Sequence, residues 1–381
     1  LTALFTKENT MQVELDMIRL VAAALAVAAL IAYIATPVVK NLAFKVGAVD
    51  VPKDNRRMHK HPIPRMGGLA IFLGFLLSVL IFLPLDDQLR GMLLGAVIIV
   101  VLGIFDDIYA LPAVPKFLIQ IAAALIAVYM GNRITIISNP NIFSDNPIWD
   151  LGPWSVPVSV IWIVAITNAV NLIDGLDGLA CGVSTISSLT MLVIALCVAD
   201  PTVAILMAAL SGACIGFLPY NLNPAKIFMG DTGATFLGFI MATASIDGLF
   251  KFYNIISFAV PFLMLGLPIF DTCSAIVRRV SHGQSPMTAD RSHIHHKLID
   301  MGFSQKQAVA VLYIISAILG LSAVVLTTSG EVRAMMFLMA LCVAGAVAWN
   351  LYLHRKNHHN HPAPDHHDNT PFFGEEERSN K

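Results

Sequence analysis

Eleven apolar runs of roughly spanning length recur along the chain, at about residues 17–36, 67–84, 91–105, 115–131, 156–173, 178–199, 202–220, 232–250, 254–277, 309–328 and 332–353. A helix needs about 20 apolar residues to cross about 30 Å of hydrocarbon. Lipid offers no partner to an open sheet edge, and no alternating strand pattern of barrel type is present, so the runs are expected to be helices. Composition agrees. The 381 residues are 56% hydrophobic and 13% charged, whereas soluble domains carry about 25% charge. So few charges cannot clothe a soluble surface, and a single soluble globular enzyme is excluded. The expected fold is all-α and polytopic, with about 11 transmembrane helices in one membrane domain over 1–353. The polar, His-rich stretch 354–381 reads as a disordered cytoplasmic tail.

Net charge is −1 and says nothing about partners, but the placement of the charges does. With eleven crossings the Lys and Arg residues divide 18 against 6 between the two faces. The positive-inside rule makes the rich face cytoplasmic, so the N-terminus is expected outside and the C-terminus inside. The first run follows Glu8, Glu14 and Asp16 rather than a basic segment, and is expected to remain as a span. The five cysteines lie in or beside apolar runs without CxxC spacing and read as small packing residues. Residues 131–154, with two Asn-Pro pairs, read as an external loop holding a short hairpin.

The same parity sends five polar segments to the cytoplasmic face. Asp106-Asp107 closes the third run, where the pair suits a divalent metal or simply keeps a helix end in water. In Asn168-Ala-Val-Asn-Leu-Ile-Asp-Gly-Leu-Asp-Gly, Asn168, Asn171, Asp174 and Asp177 recur every three residues, and on a helix would share one face. Gly175 and Gly178 allow a backbone or phosphate to come close. Asn221-Leu-Asn-Pro-Ala-Lys-Ile-Phe-Met-Gly-Asp-Thr-Gly puts Asp231 near a helix N-terminus, where the dipole favours an anion. Phe228 there offers a ring for stacking on a base. His293-Ile-His-His296 and the loop from Lys60 to Gly68, with Arg65, supply further groups for an anion. A transporter would carry its ionisable residues within the spans, and none is conspicuous there.

Together these motifs resemble the polyprenyl-phosphate N-acetylhexosamine-1-phosphate transferases over about residues 15–350. The resemblance implies that a sugar 1-phosphate passes from a UDP-sugar to a lipid phosphate, with UMP leaving. It implies catalytic roles for Asp106, Asp107, Asp174, Asp231 and His293. Lys60, Arg65, Asn171, Asp177, Asn221, Phe228, His295 and His296 would contact substrates. Asp231 would be the ligand of Mg²⁺, with Mn²⁺ as a substitute. The HIHH pattern and the eleventh span point to UDP-N-acetylglucosamine and undecaprenyl phosphate in a bacterial cytoplasmic membrane. The branch using muramoyl-pentapeptide, with three consecutive histidines, is the alternative, and a nucleotide-sugar transporter is a further one. Nucleic acid is not expected as a partner, and a homodimer is allowed but not required.

Overall fold

The computed structural model describes residues 2–52, 61–138, 148–248, 255–284 and 293–329. Lys60, the eleventh run and the tail from 354 lie outside the described residues. The chain is an all-α polytopic membrane protein. Its helices are α1 (Thr2–Val46), α2 (Gly68–Phe82), α3 (Asp87–Tyr109), α4 (Ala113–Tyr129), α5 (Ser155–Ile173) and α6 (Leu179–Cys197). They continue as α7 (Pro201–Asn221), α8 (Gly230–Gly248), α9 (Ile255–Met264), α10 (Gly266–Ser281), α11 (Ile294–Asp300) and α12 (Gln305–Ser329). Six helices among the described residues are individually long and apolar enough to span.

Helix α8 is the axis of the bundle. Every one of its residues is buried except Asp231 in its first turn and Asp247 near its last. A helix apolar on all sides belongs inside, and α8 packs against α5 on one side and α3 on the other. Glycine permits the closest of these contacts. A Cβ on Gly68 would meet the backbone of Gly233, and one on Gly103 the backbone of Thr232. The start of α2 and the end of α3 therefore press directly on the first turn of α8, which fixes where Asp231 stands.

Two short antiparallel hairpins complete the fold: β1 (Val49–Asp50) with β2 (Ile63–Pro64), and β3 (Ile136–Ser138) with β4 (Ile148–Asp150). The second is the hairpin expected in the 131–154 loop. At the same end of the bundle, Asp86 and Asp200 cap α3 and α7 by accepting from Leu89 N at 2.7 Å and Val203 N at 3.1 Å.

Two expectations need correction. The ninth run is not one helix: it breaks at Leu265 into α9 and α10. Pro268 has no N–H to give the carbonyl of Met264 and its ring crowds that turn, so it stands in the first turn of α10 rather than continuing α9. The spaced residues Asn168 to Asp177 do not share one helix either. Helix α5 ends at Ile173, and Gly178 has φ +77°, a conformation open chiefly to glycine. Asp174 and Asp177 stand on a tight loop between α5 and α6.

Candidate active site

Three chain segments meet at the end of the bundle where α3 closes and α8 begins. Segment 64–68 runs beside 228–229: Phe228 N donates to Pro64 O (2.8 Å), Gly67 N to Phe228 O (2.9 Å) and Gly68 N to Met229 O (2.8 Å). This ladder brings Arg65 to the same wall as Phe228. Asn221 Nδ2 donates to Ile227 O (3.1 Å) and closes the turn after α7. The third segment, the α5–α6 loop, is tied to that turn by Asp177 Oδ2, which accepts from Asn223 Nδ2 (2.9 Å) and Ala225 N (3.0 Å).

The result is a cavity of about 750 Å³. Of the residues singled out in the sequence, Arg65, Asn171, Asp174, Asp177, Asn221, Phe228, Asp231 and His296 line it. The cavity is bipolar. Asp174, Asp177 and Asp231 bring carboxyl groups, while Lys40, Arg65 and Lys226 bring cationic ones. Such a cavity can receive a polyanion together with a cation. Burial first, and then the negative charge of Asp107, push the Asp174 carboxyl up to about 7.

That shift has a consequence for stability. The folded chain holds the Asp174 proton more tightly than the unfolded chain, whose carboxyl titrates near 3.8. The charged form therefore costs stability above pH 7, and the cost fades as pH falls towards 4. Asp174→Asn is expected to stabilise the metal-free protein at pH 8 by roughly 1–3 kcal/mol. This is less than the full shift implies, because the side chain keeps access to cavity water. Thermal unfolding in detergent with chelator, at pH 8 and pH 4.5, tests it: equal gains at both values would show that Asp174 carries no such penalty.

The acidic pair does not line the cavity but underlies it. Asp106 and Asp107 are only 5% and 6% exposed, so neither serves to keep a helix end in water. Asp107 Oδ1 accepts from Asp231 N (2.9 Å), and Oδ2 from Thr232 N (3.1 Å) and Thr232 Oγ1 (2.6 Å). Arg65 Nε lies 3.5 Å from Oδ1. The N–H groups that open α8, expected to meet a substrate anion, are thus taken by the Asp107 carboxylate, which acts as a cap from another helix.

Asp106 accepts from Leu111 N (2.7 Å) and Lys116 Nζ (2.7 Å). The same Lys116 Nζ stands 3.7 Å from Asp231 Oδ2, and the Asp106 and Asp231 carboxyl groups lie against each other. Asp231 is thereby held among like and unlike charges at the cavity wall. Among the described residues no three His, Cys, Asp or Glu side chains gather closely enough to enclose an ion. Mg²⁺ needs only one or two carboxylates when waters and substrate phosphates complete its shell, and the hard oxygens at Asp231 suit it.

The histidines separate in role. His296 lines the cavity. His293 is buried, with Nδ1 2.9 Å from Asp271 Oδ2, and Asp271 Oδ1 accepts from Ile294 N at 2.9 Å. His295 is 2% exposed, with Nδ1 lacking any hydrogen-bond partner. Burial, with His296 alongside, pushes its imidazole down to about 4, so it is neutral at physiological pH and no cation for a phosphate. Its ring packs on Gly175, where a Cβ would collide with Nε2. The close approach at Gly175 that the structure shows is by a protein ring.

Sequence reasoning missed Lys116, counted only as one more cytoplasmic charge, and Asn223. It also passed over Asp271, a lone acid inside the run 254–277. An ionisable residue within an apolar run is by default a sign of a functional neighbourhood, and that signal was there to be read.

Comparison with known proteins agrees with the motifs. Residues 89–249 match the family model Glycosyl transferase family 4. The chain is 45% identical to the probable undecaprenyl-phosphate N-acetylglucosaminyl 1-phosphate transferase of Bacillus subtilis (strain 168), over 82% of this chain and 86% of that one. It is 34% identical to the decaprenyl-phosphate N-acetylglucosaminephosphotransferase of Mycolicibacterium smegmatis, over 75% and 77%. It is also 34% identical to the undecaprenyl-phosphate alpha-N-acetylglucosaminyl 1-phosphate transferase of Thermotoga maritima, over 70% and 78%. With this identity sustained over most of its length, the chain belongs to glycosyl transferase family 4, the polyprenyl-phosphate N-acetylhexosamine-1-phosphate transferases.

Proposed function

We propose that the protein transfers N-acetylglucosamine 1-phosphate from UDP-N-acetylglucosamine to undecaprenyl phosphate in the bacterial cytoplasmic membrane, releasing UMP. The observation that carries this reading is the bipolar cavity: carboxyl groups of Asp174, Asp177 and Asp231, the cations Arg65 and Lys226, and the Phe228 ring all line it. A nucleoside diphosphate needs all three chemistries: cations for its phosphates, a site for its metal, and a ring for its base. The relatives, whose names specify N-acetylglucosamine phosphate and a polyprenyl phosphate, support the transferred group and the class of acceptor.

The chain's own groups account for the step in electrostatic terms. A phosphate monoester has a second pKa of about 6 and is mostly dianionic at neutral pH, so the acceptor needs no base. Asp106 is already committed to Lys116 and Leu111 N and positions Lys116 beside Asp231. Asp107 holds the first turn of α8 in place. Arg65, lining the cavity, offsets the charge that develops as two anions are brought together. Mg²⁺, held through Asp231, would supply further positive charge to the diphosphate.

The orientation follows from the charge placement: cavity, Lys- and Arg-rich loops and C-terminus on the cytoplasmic face, N-terminus outside. Sealed vesicles test function and orientation together. Inverted vesicles given UDP-N-acetylglucosamine, undecaprenyl phosphate and Mg²⁺ are expected to release UMP, and right-side-out vesicles are not. UDP-muramoyl-pentapeptide is expected to yield none. Equal turnover of both donors would reject the sugar assignment, and release by right-side-out vesicles alone would reject the orientation.

A further inference from the structure

Helices α11 and α12 contribute little to the cavity wall, yet two rings from this part of the chain bear on the α5–α6 loop. Tyr313, half-buried in α12, donates its hydroxyl to Gly178 O at 2.5 Å. The same carbonyl accepts the first helical bond of α6, from Gly182 N at 2.9 Å. A carbonyl has two lone pairs, so it takes both. Gly182 is what makes room: a Cβ there would fall on the Tyr313 hydroxyl and ring. At the other end of the loop the His295 ring lies on Gly175, where a Cβ would collide as well. Gly175 in the loop and Gly182 in the first turn of α6 both leave room for rings more than a hundred residues away.

The loop so gripped is the five-residue turn that carries Asp174 and Asp177 into the cavity. Gly178 stands at φ +77°; within the turn only short backbone bonds form, Gly175 N to Ile173 O (2.8 Å) and Leu179 N to Leu176 O (3.0 Å), and Asp177 is tied outward to Asn223 and Ala225. We infer that Tyr313 is a positioning residue for the donor in the cavity: its bond to Gly178 O, opposite the His295 contact on Gly175, joins the Asp177 ties to Asn223 and Ala225 in setting the placement of Asp174 and Asp177. Tyr313 does not line the cavity and touches no substrate. Its effect is expected to fall on the donor, the substrate proposed for the cavity that Asp174 and Asp177 line. The inference deepens the proposed function and rests on it for the identity of the donor.

The test uses the full-length protein in detergent or nanodiscs. Tyr313→Phe removes one hydroxyl and keeps the ring. A net loss of one hydrogen bond corresponds to about a three- to tenfold effect, and this is the expected rise in KM for UDP-N-acetylglucosamine. The KM for undecaprenyl phosphate and kcat are expected to stay near wild type. Amide hydrogen exchange, which needs no substrate, is expected to speed up within residues 174–182 and not elsewhere. Gly182→Ala, pressing a methyl group on the same ring, is expected to act in the same direction. Tyr129→Phe, an exposed residue at the far end of α4, is expected to change nothing. Unchanged exchange in 174–182 together with an unchanged donor KM would overturn the inference. So would a rise in both KM values with exchange accelerated throughout, the mark of a merely structural role. If the wild type turns over no UDP-N-acetylglucosamine, the proposed donor is wrong, and the exchange result alone decides whether Tyr313 holds the loop.

Discussion

Asp231→Asn is expected to abolish nearly all transfer, lowering turnover by about 10²–10³-fold, on the order of 3–4 kcal/mol, while the protein still inserts and folds. The substitution keeps the shape and removes the charge. Asp231 is one of the two residues of α8 that are not buried, and it faces the cavity at the point where α2, α3 and α8 converge. Its carboxyl is flanked by that of Asp106 and by Lys116, 3.7 Å away. An amide here leaves Lys116 to Asp106 alone and gives a hard cation one carboxylate fewer, in a site that offers few. The loss is expected to persist at saturating Mg²⁺. Turnover above roughly a tenth of wild type under those conditions would contradict the assignment. Asp200→Asn makes the control, because it lies at the opposite end of α7 and Asn caps a helix about as well as Asp. It should be almost silent.

Asp107→Asn is expected to damage both stability and activity. Asp107 accepts from Asp231 N, Thr232 N and Thr232 Oγ1, and pairs with Arg65. An amide replaces one of its acceptor oxygens with an NH₂ group, which would point a donor at donors and leave Arg65 without its nearest carboxylate. Breaking a buried charged network by removing one partner costs about 3–5 kcal/mol, and hydrogen bonds to charged groups are worth about 1.5–3 kcal/mol. A stability loss of about 2–4 kcal/mol is therefore expected, since the amide oxygen retains some of the bonds. Turnover should fall by about 10–100-fold as Asp231 loses its fixed backbone. The two variants are distinguishable: Asp231→Asn is expected to keep a near-normal unfolding temperature, and Asp107→Asn is not. A normal unfolding temperature in Asp107→Asn would contradict the capping role.

That difference between neighbouring aspartates also marks what could be read from the sequence. The helices follow from runs of apolar residues, which are local, and so do the hairpin in 131–154 and the helix start near Asp231. The cavity residues Asn171, Asp174, Asp177, Asn221 and Phe228 were legible as a group because lipid-facing chains spare few polar residues, and these cluster at helix ends. Their physical tasks were not legible. Asp107 meets the first turn of α8 across more than 120 residues of chain, and no spacing rule connects the two. Gly175 read as room for a backbone or a phosphate because a glycine tells only that something comes close, not that the His295 ring does. The break at Leu265 was hidden by continuous apolarity, although Pro268 within the run was the available sign. Asp271 was overlooked because one acid does not disturb a run of that length.

The central claim is that the bond broken in the donor lies between its two phosphates. A donor carrying ³²P in the β-phosphate and ¹⁴C in the sugar distinguishes this directly from ordinary sugar transfer. Incubated with the purified protein, undecaprenyl phosphate and Mg²⁺, it is expected to deliver both labels to the lipid in equal molar amounts, with unlabelled UMP released one for one. Lipid carrying ¹⁴C alone, with ³²P recovered in UDP, would mean that the sugar moves without its phosphate and would contradict the account.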